Sequence, residues 1–392
     1  MQLVVLGATG TIGRNTLDVA GRHRDRISVL ALTAHRDVDA MVALVAEFRP
    51  RYVAMADAAA ARTLAVRLSE AGLRCEVSGG PEAVSVLAAL DEADQVMSAI
   101  VGAAGLLPTL AAVHAGKRVL IANKEPLVMA GELLLAAAAG SGATLVPIDS
   151  EHNAIFQCLP AGSRCGSAPR GVRKLILTAS GGPFRETPLE ALASVTPAEA
   201  VRHPNWVMGP KISVDSATMM NKGLELIEAS VLYAVAEPDI EIVIHPESAI
   251  HSVVEYVDGS MLAQIGQSDM RVPIAHALAF PERWESGVGG LDLPALARMR
   301  FEAPDERRFP CLGLARQALR SGGAAPNVLN AANEVAVQAF LDGRLPYGRI
   351  APLIAGCLEA MGREALPQGD DLEAILGVDA WARRIAMETL DA

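Results

Sequence analysis

The segment QLVVLGATGTIGRNTLDV, residues 2–19, joins an apolar run to a glycine-rich turn and a helical pattern. Gly7, Gly10 and Gly13 fall in the turn, where glycine lets the backbone approach a pyrophosphate closely. The free N–H groups and the positive dipole at the start of the following helix favour the same anion. An ordinary tight turn between a strand and a helix is the alternative. We interpret the segment as the start of a dinucleotide-binding fold, because it opens a chain of alternating strands and helices.

Seven short apolar segments between Gln2 and Asp149 alternate with alanine- and leucine-rich helical patterns. They are QLVVLG, ISVLALTA, RYVAMA, CEVSG, QVMSAIV, RVLIAN and TLVPID. This alternation predicts an α/β fold with a doubly wound, Rossmann-like parallel sheet. Such sheets bind ligands beyond the carboxyl ends of their strands. The sequence therefore predicts that GATG, TAHRD, ANKE and IDSEH lie along one edge of the sheet.

The rest of the chain predicts an α+β domain followed by a helical domain. From about Ser150 to Phe280 there are strands such as VRKLILTAS and IEIVIH, and Asp258 and Gly259 join HSVVEYV to SMLAQIG as a hairpin. Four helical patterns after Pro310 predict a small C-terminal helical domain. The predicted divisions are residues 1–149, 150–280, an irregular linker over 281–310, and 311–392.

Composition and charge exclude several classes of partner. The formal net charge of −11 argues against binding along nucleic acid, which requires a basic surface. Five cysteines without CxxC spacing predict free thiols in a reducing cytoplasm, and the N-terminus predicts no signal peptide. The uncharged stretch 95–116 is interrupted by Pro108 and by glycines. We therefore expect no membrane span.

The second predicted strand ends in TAHRD, where an NAD-dependent enzyme usually offers an acidic residue to the ribose hydroxyl groups. His35 and Arg36 come first here, and an arginine favours the 2′-phosphate of NADP. Asp37 would repel that phosphate if its side chain pointed towards it. We predict NADP rather than NAD, with a solvated loop arginine as the alternative.

The segment PIDSEH, from Pro147, crowds charged and polar residues at the end of the last predicted strand. If strand geometry persists past TLVPI, Asp149 and Glu151 point to the same side. Two such carboxylates repel each other unless they are protonated, paired or bound to a hard cation such as Mg²⁺ or Mn²⁺. The alternative is that Asp149 or Ser150 caps a helix over HNAIFQCL, and these residues alone do not decide between the two.

The segment SVDSATMMNKGLELIEASVLY, from Ser213, predicts a helix that Ser216 caps. Asn221, Lys222 and Glu225 then cluster on one face through spacings of three and four. A serine at a helix N-terminus with an asparagine and a lysine one turn on suits a phosphate group. A solvated face with a Lys222–Glu225 pair is the alternative.

The segment HPNWVMGPK, from His203, is bounded by prolines and holds Trp206, one of three tryptophans. An aromatic residue in a proline-bounded loop suggests a lid that excludes water from a reactive intermediate. A loop that Trp206 anchors in a domain interface is the alternative.

Taken together, six segments resemble the 1-deoxy-D-xylulose 5-phosphate reductoisomerases along nearly the whole chain. They are GATGTIG, ANKE, DSEHNAIFQ, TASGGPF, HPNWVMGPKISVDSATMMNKGLELIEA and IHPESAIHS. The resemblance implies an NADPH-binding domain, a catalytic and dimer-forming domain and a C-terminal four-helix bundle. It also implies a cytoplasmic homodimer that acts on a small phosphorylated sugar.

The resemblance further implies roles for individual residues. Asp149, Glu151 and Glu225 would be catalytic as ligands of one divalent metal, Mg²⁺ or Mn²⁺. Substrate contacts would come from Lys124, Ser150, Glu151, Ser180, His203, Trp206, Ser216, Asn221, Lys222 and Glu225, with Lys124 and His203 also catalytic and Met208 on the lid. Cofactor contacts would come from Thr9, Gly10, Thr11, Ile12, Arg36, Asp37, Asn123, Glu125 and Gly209. The segment HRD at residues 35–37 departs from the Gly-Lys-Asn of many members, with Arg36 as the remaining basic partner.

The implied reaction converts 1-deoxy-D-xylulose 5-phosphate into 2-C-methyl-D-erythritol 4-phosphate, an isoprenoid precursor. A metal-assisted rearrangement, concerted or through retro-aldol fragments as usually assigned to the family, precedes reduction of an aldehyde by NADPH. Two alternatives stay open. One is a different NADP-dependent reductase without a metal, such as a semialdehyde dehydrogenase, which needs an active cysteine or a different acid-base pair. The other is a non-enzymatic NADP-sensing protein.

Overall fold

The computed structural model describes residues 1–206, 208–364, 366 and 371–391. The chain divides into two compact units. Unit 1 comprises residues 1–126, 134–153 and 269–289, and unit 2 comprises residues 127–133, 154–268 and 290 to the C-terminus. The division into domains 1–149, 150–280 and 311–392 with a linker over 281–310 remains a prediction beside these two units.

Unit 1 contains a seven-stranded sheet in which every recorded pairing is parallel. Its strands are β1 (Gln2–Leu6), β2 (Ser28–Ala34), β3 (Tyr52–Met55), β4 (Glu76–Gly79), β5 (Gln95–Ser98), β6 (Arg118–Ile121) and β7 (Thr144–Pro147). Their spatial order is β4-β3-β2-β1-β5-β6-β7. All seven predicted strands and the doubly wound sheet are therefore confirmed. The order reverses between β1 and β5, and the crevice at such a switch point is where these sheets bind ligands.

Helices follow the strands as the α/β pattern requires. Through Cys158 they are α1 (Thr11–Arg22), α2 (Val38–Phe48), α3 (Ala58–Glu70), α4 (Pro81–Ala88), α5 (Leu106–His114), α6 (Glu125–Ser141) and α7 (Ser150–Cys158). The apolar stretch 95–116 forms β5, a short 3₁₀ turn and α5, as predicted. Among the residues that the structure describes, no helix combines the length and apolar character needed to cross a bilayer.

Unit 2 contains a four-stranded mixed sheet in the order β11-β10-β8-β9. Its strands are β8 (Val172–Ala179), β9 (Ile240–Ile244), β10 (Ile250–Tyr256) and β11 (Met261–Ile265). The predicted hairpin between β10 and β11 is confirmed, although four residues rather than two separate the strands. Asp258 Oδ1 accepts a hydrogen bond from Ser260 N at 2.9 Å, and Gly259 adopts a φ of +87°. Glycine is therefore suited to that position.

The main core of unit 2 is helical. The remaining helices among the residues that the structure describes are α8 (Pro197–Ala200), α9 (Pro210–Ala217), α10 (Met220–Tyr233), α11 (Arg271–Ala279), α12 (Leu293–Leu296), α13 (Pro310–Ser321), α14 (Ala325–Leu341), α15 (Ile350–Met361) and α16 (Leu372–Asp391). The last four confirm the four predicted C-terminal helices. Leu224 and Ile227 of α10 pack in one buried cluster with Val328, Phe340 and Ile354 of those helices. Burial of this apolar surface is the main force that holds α10 against the helical segment.

Candidate active site

The turn after β1 depends on glycine at two positions. Gly7 has a φ of +80°, and a Cβ atom there would lie 2.5 Å from the carbonyl oxygen of Ala99. A Cβ atom on Gly13 would lie 2.3 Å from the carbonyl oxygen of Gly7. Gly10 precedes α1, and no side-chain cap of that helix occurs among the described residues. The first N–H groups of α1 are therefore left for water or an anionic ligand, next to Thr9.

The loop after β2 exposes His35, Arg36 and Asp37. Asp37 Oδ1 accepts a hydrogen bond from Ala40 N at 3.0 Å and so caps α2. Backbone hydrogen bonds at the start of α3, and then the nearby charge of Arg36, lower the pKa of Asp57. The Asp37 carboxylate is turned towards its own helix and so away from a phosphate group at this loop. Arg36 therefore remains suited to bind such a phosphate group.

The loop after β6 carries three buried polar residues, Asn123, Lys124 and Glu125. Asn123 Oδ1 accepts a hydrogen bond from Ser98 Oγ at 3.2 Å. Lys124 Nζ lies 2.6 Å from Asp149 Oδ2, and these side chains are 6% and 14% exposed. The structure therefore brings Lys124 and Asp149 together as an ion pair at the carboxyl edge of the sheet.

The chain does not continue as a strand past TLVPI, so that premise for placing Asp149 and Glu151 on one side was wrong. β7 ends at Pro147 and α7 begins at Ser150, as the helical alternative required. Asn153 N donates to the carbonyl oxygen of Asp149 at 2.8 Å, and its Nδ2 donates to Pro147 O at 2.8 Å. Ser150 Oγ donates to Glu151 Oε2 at 2.5 Å. The two carboxylates thus stand at the start of a helix, where the dipole favours negative charge.

The expectation that Ser216 caps the long helix of the SVDSATMMNK segment was also wrong. Ser216 lies in the last turn of α9, and Met219, with a φ of +58°, separates α9 from α10. Thr218 Oγ1 accepts a hydrogen bond from Met220 N at 3.3 Å. The hydroxyl group at the junction is therefore that of Thr218, because the chain makes two helices here instead of one.

Asn221, Lys222 and Glu225 form the predicted cluster on α10. Asn221 Nδ2 donates to Glu225 Oε1 at 2.5 Å, and the Lys222 ammonium group contacts the Glu225 carboxylate. The Lys222 and Glu225 side chains are 4% and 1% exposed. This burial excludes the solvated-face alternative, since a solvated pair would expose both charges.

The TASGG loop after β8 comes close to the end of α9. Gly181 and Gly182 have φ values of +83° and +68°, and a Cβ atom on Gly182 would lie 2.5 Å from the carbonyl oxygen of Ser216. Gly182 N donates to Ser180 Oγ at 3.2 Å. The absence of a side chain at residue 182 therefore allows the loop that carries Ser180 to approach the turn that carries Ser216.

His203 is oriented by the backbone of the segment that follows it. Its Nδ1 accepts hydrogen bonds from Asn205 N at 3.1 Å and Trp206 N at 3.0 Å. In the neutral imidazole the proton then resides on Nε2, which donates to Ser180 Oγ at 2.9 Å. The Trp206 ring lies 6.1 Å from that of His251. The structure therefore brings His203 and Ser180 together.

The remainder of the predicted lid is described only in part. Met208 is half-buried and Gly209 immediately precedes α9, whereas Val207 lies outside the described residues. The sequence reasoning did not single out Asn205, whose Nδ2 donates to Pro246 O at 2.8 Å and to Ser248 Oγ at 2.7 Å. The position of Asn205 between Pro204 and Trp206 could have indicated this role, because an asparagine in a tight loop often forms hydrogen bonds with nearby backbone groups.

Four of the five cysteines do not provide a reactive thiolate. All five are free, and burial raises the pKa of Cys75 and Cys357 to about 11 and that of Cys165 and Cys311 to about 12. These four thiols are therefore protonated at neutral pH and weak nucleophiles. An enzyme that depends on an active cysteine is accordingly not favoured.

Known proteins match this chain along its length. The family described as 1-deoxy-D-xylulose 5-phosphate reductoisomerase matches residues 3–131, its C-terminal domain matches residues 145–233, and a second DXP reductoisomerase C-terminal domain matches residues 265–385. The Methylococcus capsulatus reductoisomerase is 57% identical over 99% of this chain and 98% of its own. The Aromatoleum aromaticum enzyme is 58% identical over 98% of this chain and 95% of its own.

Solved structures of reductoisomerases have the same fold. One, a DOX-P reductoisomerase in complex with NADPH, fosmidomycin and magnesium, has a TM-score of 0.95 and 47% identity and covers 100% of this chain and 98% of its own. The Zymomonas mobilis enzyme in complex with NADPH has a TM-score of 0.91 and 47% identity, with 100% and 99% coverage. On these matches the chain belongs to the 1-deoxy-D-xylulose 5-phosphate reductoisomerase family.

Proposed function

We propose that Asp149, Glu151 and Glu225 together bind the divalent cation with which this enzyme acts, and that Ser180, Ser216, Asn221 and Lys222 bind the phosphate group of its substrate. The enzyme is an NADPH- and metal-dependent reductoisomerase that converts 1-deoxy-D-xylulose 5-phosphate into 2-C-methyl-D-erythritol 4-phosphate. The observation that carries the assignment of residues is the buried carboxylate of Glu225, held beside an ammonium and an amide group.

The three carboxylates fit a hard divalent cation. Asp149 and Glu225 each lie against an ammonium group, from Lys124 and Lys222 respectively. Carboxylates that share one site repel each other, and a bound divalent cation relieves that repulsion. Oxygen donors of this kind suit Mg²⁺ or Mn²⁺. A divalent cation bound there would supply Lewis acidity, which stabilises negative charge on substrate oxygen atoms during the rearrangement.

The proposed phosphate site draws on the loop after β8, the last turn of α9 and α10. Ser180 and Ser216 supply hydroxyl groups from segments that Gly182 allows to approach each other. Asn221 and Lys222, in the first turn of α10, supply amide and ammonium donors beside Glu225. Hydrogen bonds from charged donors to phosphate oxygens are about twice as strong as neutral ones, so we assign most of the phosphate affinity to Lys222.

His203, Lys124 and Ser150 are proposed to contact the carbon chain of the substrate. His203 Nε2 carries a proton that it now donates to Ser180 Oγ, and it could donate the same proton to a substrate oxygen. Trp206 and Met208 would cover the substrate and exclude water, which strengthens every polar interaction beneath them. Asn205 holds the start of this segment through hydrogen bonds from Nδ2 to Pro246 O and Ser248 Oγ.

NADPH is proposed to bind at the switch point of the parallel sheet. The pyrophosphate would meet the N-terminus of α1, and Arg36 would pair with the 2′-phosphate. The remaining proposed contacts are Thr9, Gly10, Thr11, Ile12, Asp37, Asn123, Glu125 and Gly209. The cofactor supplies the reducing equivalent, and the protein holds and orients it. Asp37 would contribute through the position of its loop, since its carboxylate caps α2.

A cytoplasmic homodimer is also proposed. Strand β11 forms one edge of the unit 2 sheet, and Met261, Leu262 and Ile265 on it are 54%, 50% and 44% exposed. An edge strand with such exposed apolar side chains favours association with another chain. Five free cysteines suit a reducing compartment.

The direct test measures NADPH consumption with 1-deoxy-D-xylulose 5-phosphate, before and after chelation and with Mg²⁺ or Mn²⁺ restored. We expect NADPH oxidation that chelation abolishes and either cation restores. The residue assignments are tested separately, since oxidation that Glu225→Gln leaves unchanged would overturn the proposed metal site while leaving the family activity in place.

A further inference from the structure

Ser216 lies between Asp215 and Ala217, and both of these residues accept hydrogen bonds from the C-terminal helical segment, which runs from α13 to α16. Asn333 of α14 donates from Nδ2 to Asp215 Oδ1 at 2.8 Å, and Tyr347 donates from its hydroxyl group to the carbonyl oxygen of Ala217 at 2.6 Å. We propose that Asp215, Asn333 and Tyr347 are positioning residues for the substrate phosphate, because they fix the backbone on both sides of Ser216. This inference rests on the proposed function, which places Ser216 in the phosphate site.

Asp215 is a buried charge with a partner for each carboxylate oxygen. Its side chain is 1% exposed, Lys211 Nζ lies 2.9 Å from Oδ2, and Asn333 donates to Oδ1. Each oxygen of this buried carboxylate has its own partner, and the two partners lie on different helices. A rotation of the carboxylate away from this orientation would leave an oxygen without its partner, so the orientation is fixed. Lys211 belongs to the same helix as Asp215, whereas the Asn333 contact joins Asp215 of α9 to α14.

Tyr347 holds the other side of Ser216. Burial raises the pKa of the Tyr347 hydroxyl group, so it stays protonated and acts as a donor to Ala217. Its ring packs edge-on against Phe184 at 5.4 Å and Phe340 at 6.0 Å, which fixes the direction of the hydroxyl group. Carbonyl groups in the last turn of a helix lack intrahelical partners, and Tyr347 supplies one to α9.

The loop that carries Ser180 limits the movement of the Ser216 backbone on a third side. Because a Cβ atom on Gly182 would lie 2.5 Å from Ser216 O, the backbones are already near closest approach. A site of this kind must hold its donors to within about 0.5 Å of the productive geometry. The C-terminal helical segment would therefore contribute to substrate affinity without placing a side chain on the substrate.

The phosphate group does not itself react, so loss of its positioning should weaken substrate binding more than the chemical step. Removing either hydrogen bond should raise the KM for 1-deoxy-D-xylulose 5-phosphate by about three- to tenfold. The inhibition constant of inorganic phosphate, which probes the same site without the carbon chain, should rise by a similar factor. We expect kcat to stay within about twofold.

The experiment compares Tyr347→Phe and Asn333→Ala with the control Glu334→Gln in the full-length enzyme. Tyr347→Phe keeps the packed ring and removes only the hydroxyl group. Glu334 follows Asn333 on α14 and pairs with Arg383 of α16 at 2.6 Å. Glu334→Gln therefore removes an ion pair between α14 and α16 and keeps the Asn333 contact with Asp215. Measurements are KM, kcat, phosphate inhibition and Tm for each variant.

Ser216→Ala separates this inference from the proposed function. If Ser216→Ala and the two test variants raise KM and weaken phosphate inhibition while Glu334→Gln lowers only Tm, the inference stands. If Ser216→Ala does so but Tyr347→Phe and Asn333→Ala lower only Tm, the contacts are structural and the inference is overturned. If Ser216→Ala itself leaves both quantities unchanged, the proposed phosphate site is wrong, and the inference falls with it.

Discussion

The ammonium group of Lys222 contacts the carboxylate of Glu225 one turn further along α10, and the two side chains are only 4% and 1% exposed. Burying two charges is favourable only when they compensate each other. The proposed phosphate would attract Lys222, and the proposed cation would attract Glu225. Each ligand would then compensate the charge that the Lys222–Glu225 ion pair compensates without ligands. Ligand binding and the local stability of α10 are therefore expected to be coupled.

Lys222→Ala should raise the KM for 1-deoxy-D-xylulose 5-phosphate by about tenfold or more, because the strongest proposed phosphate donor is lost. It should also lower the free energy of unfolding by about 3 kcal/mol after chelation, because Glu225 then lacks a compensating charge. With saturating Mg²⁺ the loss should be smaller. Steady-state kinetics and denaturant unfolding measure the two effects.

Lys174→Ala is the matched control for that variant. Lys174 also pairs with a glutamate in unit 2, but its side chain is 33% exposed and that of Glu241 is 48% exposed. Exposed pairs contribute little to stability. Equal changes in KM for the two lysine variants would contradict the assignment of Lys222 to the phosphate site.

Glu225→Gln should reduce kcat by about a hundredfold or more while NADPH affinity stays nearly unchanged, because the cation stabilises charge only on the reacting substrate. Mg²⁺ should also raise the Tm of this variant less than that of the unaltered enzyme. Kinetics, NADPH fluorescence and thermal unfolding provide the readouts. Glu241→Gln is the control, and an unchanged Mg²⁺ dependence of both activity and Tm in Glu225→Gln would contradict the metal assignment.

Gly13→Ala should abolish NADPH binding and destabilise unit 1, because the new Cβ atom would lie 2.3 Å from the carbonyl oxygen of Gly7. A backbone atom cannot yield at that distance without moving the turn. At Gly10 the corresponding distance is 3.4 Å. Gly10→Ala should therefore fold with a nearly unchanged Tm and lose only part of its NADPH affinity. Comparable Tm values for the two variants would show that the turn relaxes more easily than its geometry indicates.

The sequence was sufficient to predict the strands of unit 1 and the residue cluster on α10. Both depend on local patterns, namely apolar runs with strand periodicity and polar residues spaced by three and four. The break between α9 and α10 was not predicted because Met219 adopts a positive φ without a glycine or proline to signal it. Likewise, the start of α7 at Ser150 was left open because PIDSEH is compatible with either geometry.

Long-range contacts were the other part that the sequence did not reveal. Asn205 reaches Ser248, and Asn333 reaches Asp215 over 118 positions in the chain. Such pairs depend on tertiary packing, which has no periodic signature in a single sequence. The approach of Gly182 to Ser216 is similar, since the TASGG pattern indicates a turn but not its neighbour.

The stability of unit 1 should fall as the pH drops from about 6.5 to about 4 because of His276. Burial, together with the charge of Arg283, lowers the pKa of His276 from 6.5 to about 4, and Asn153 contacts its Nδ1 at 3.1 Å. The unfolded chain therefore binds a proton in this range that the folded chain does not, and protonation favours unfolding. The contribution of neutral His276 to the free energy of unfolding is fully present above pH 6.5 and is lost towards pH 4. This contribution is at most about 3 kcal/mol.

His276→Gln, which cannot titrate and still offers Asn153 an acceptor, should flatten the unfolding free energy between pH 6.5 and 4.5. Glu247→Gln is the contrasting variant. Burial raises the pKa of Glu247, but hydrogen bonds and charge from Arg300 outweigh it and bring it from 4.5 to about 2. Its stabilising effect is present above pH 4.5 and is lost towards pH 2. Denaturant unfolding at stepped pH should therefore separate the two residues, and a His276→Gln profile parallel to that of the unaltered enzyme above pH 4.5 would mean that His276 is not the group that titrates.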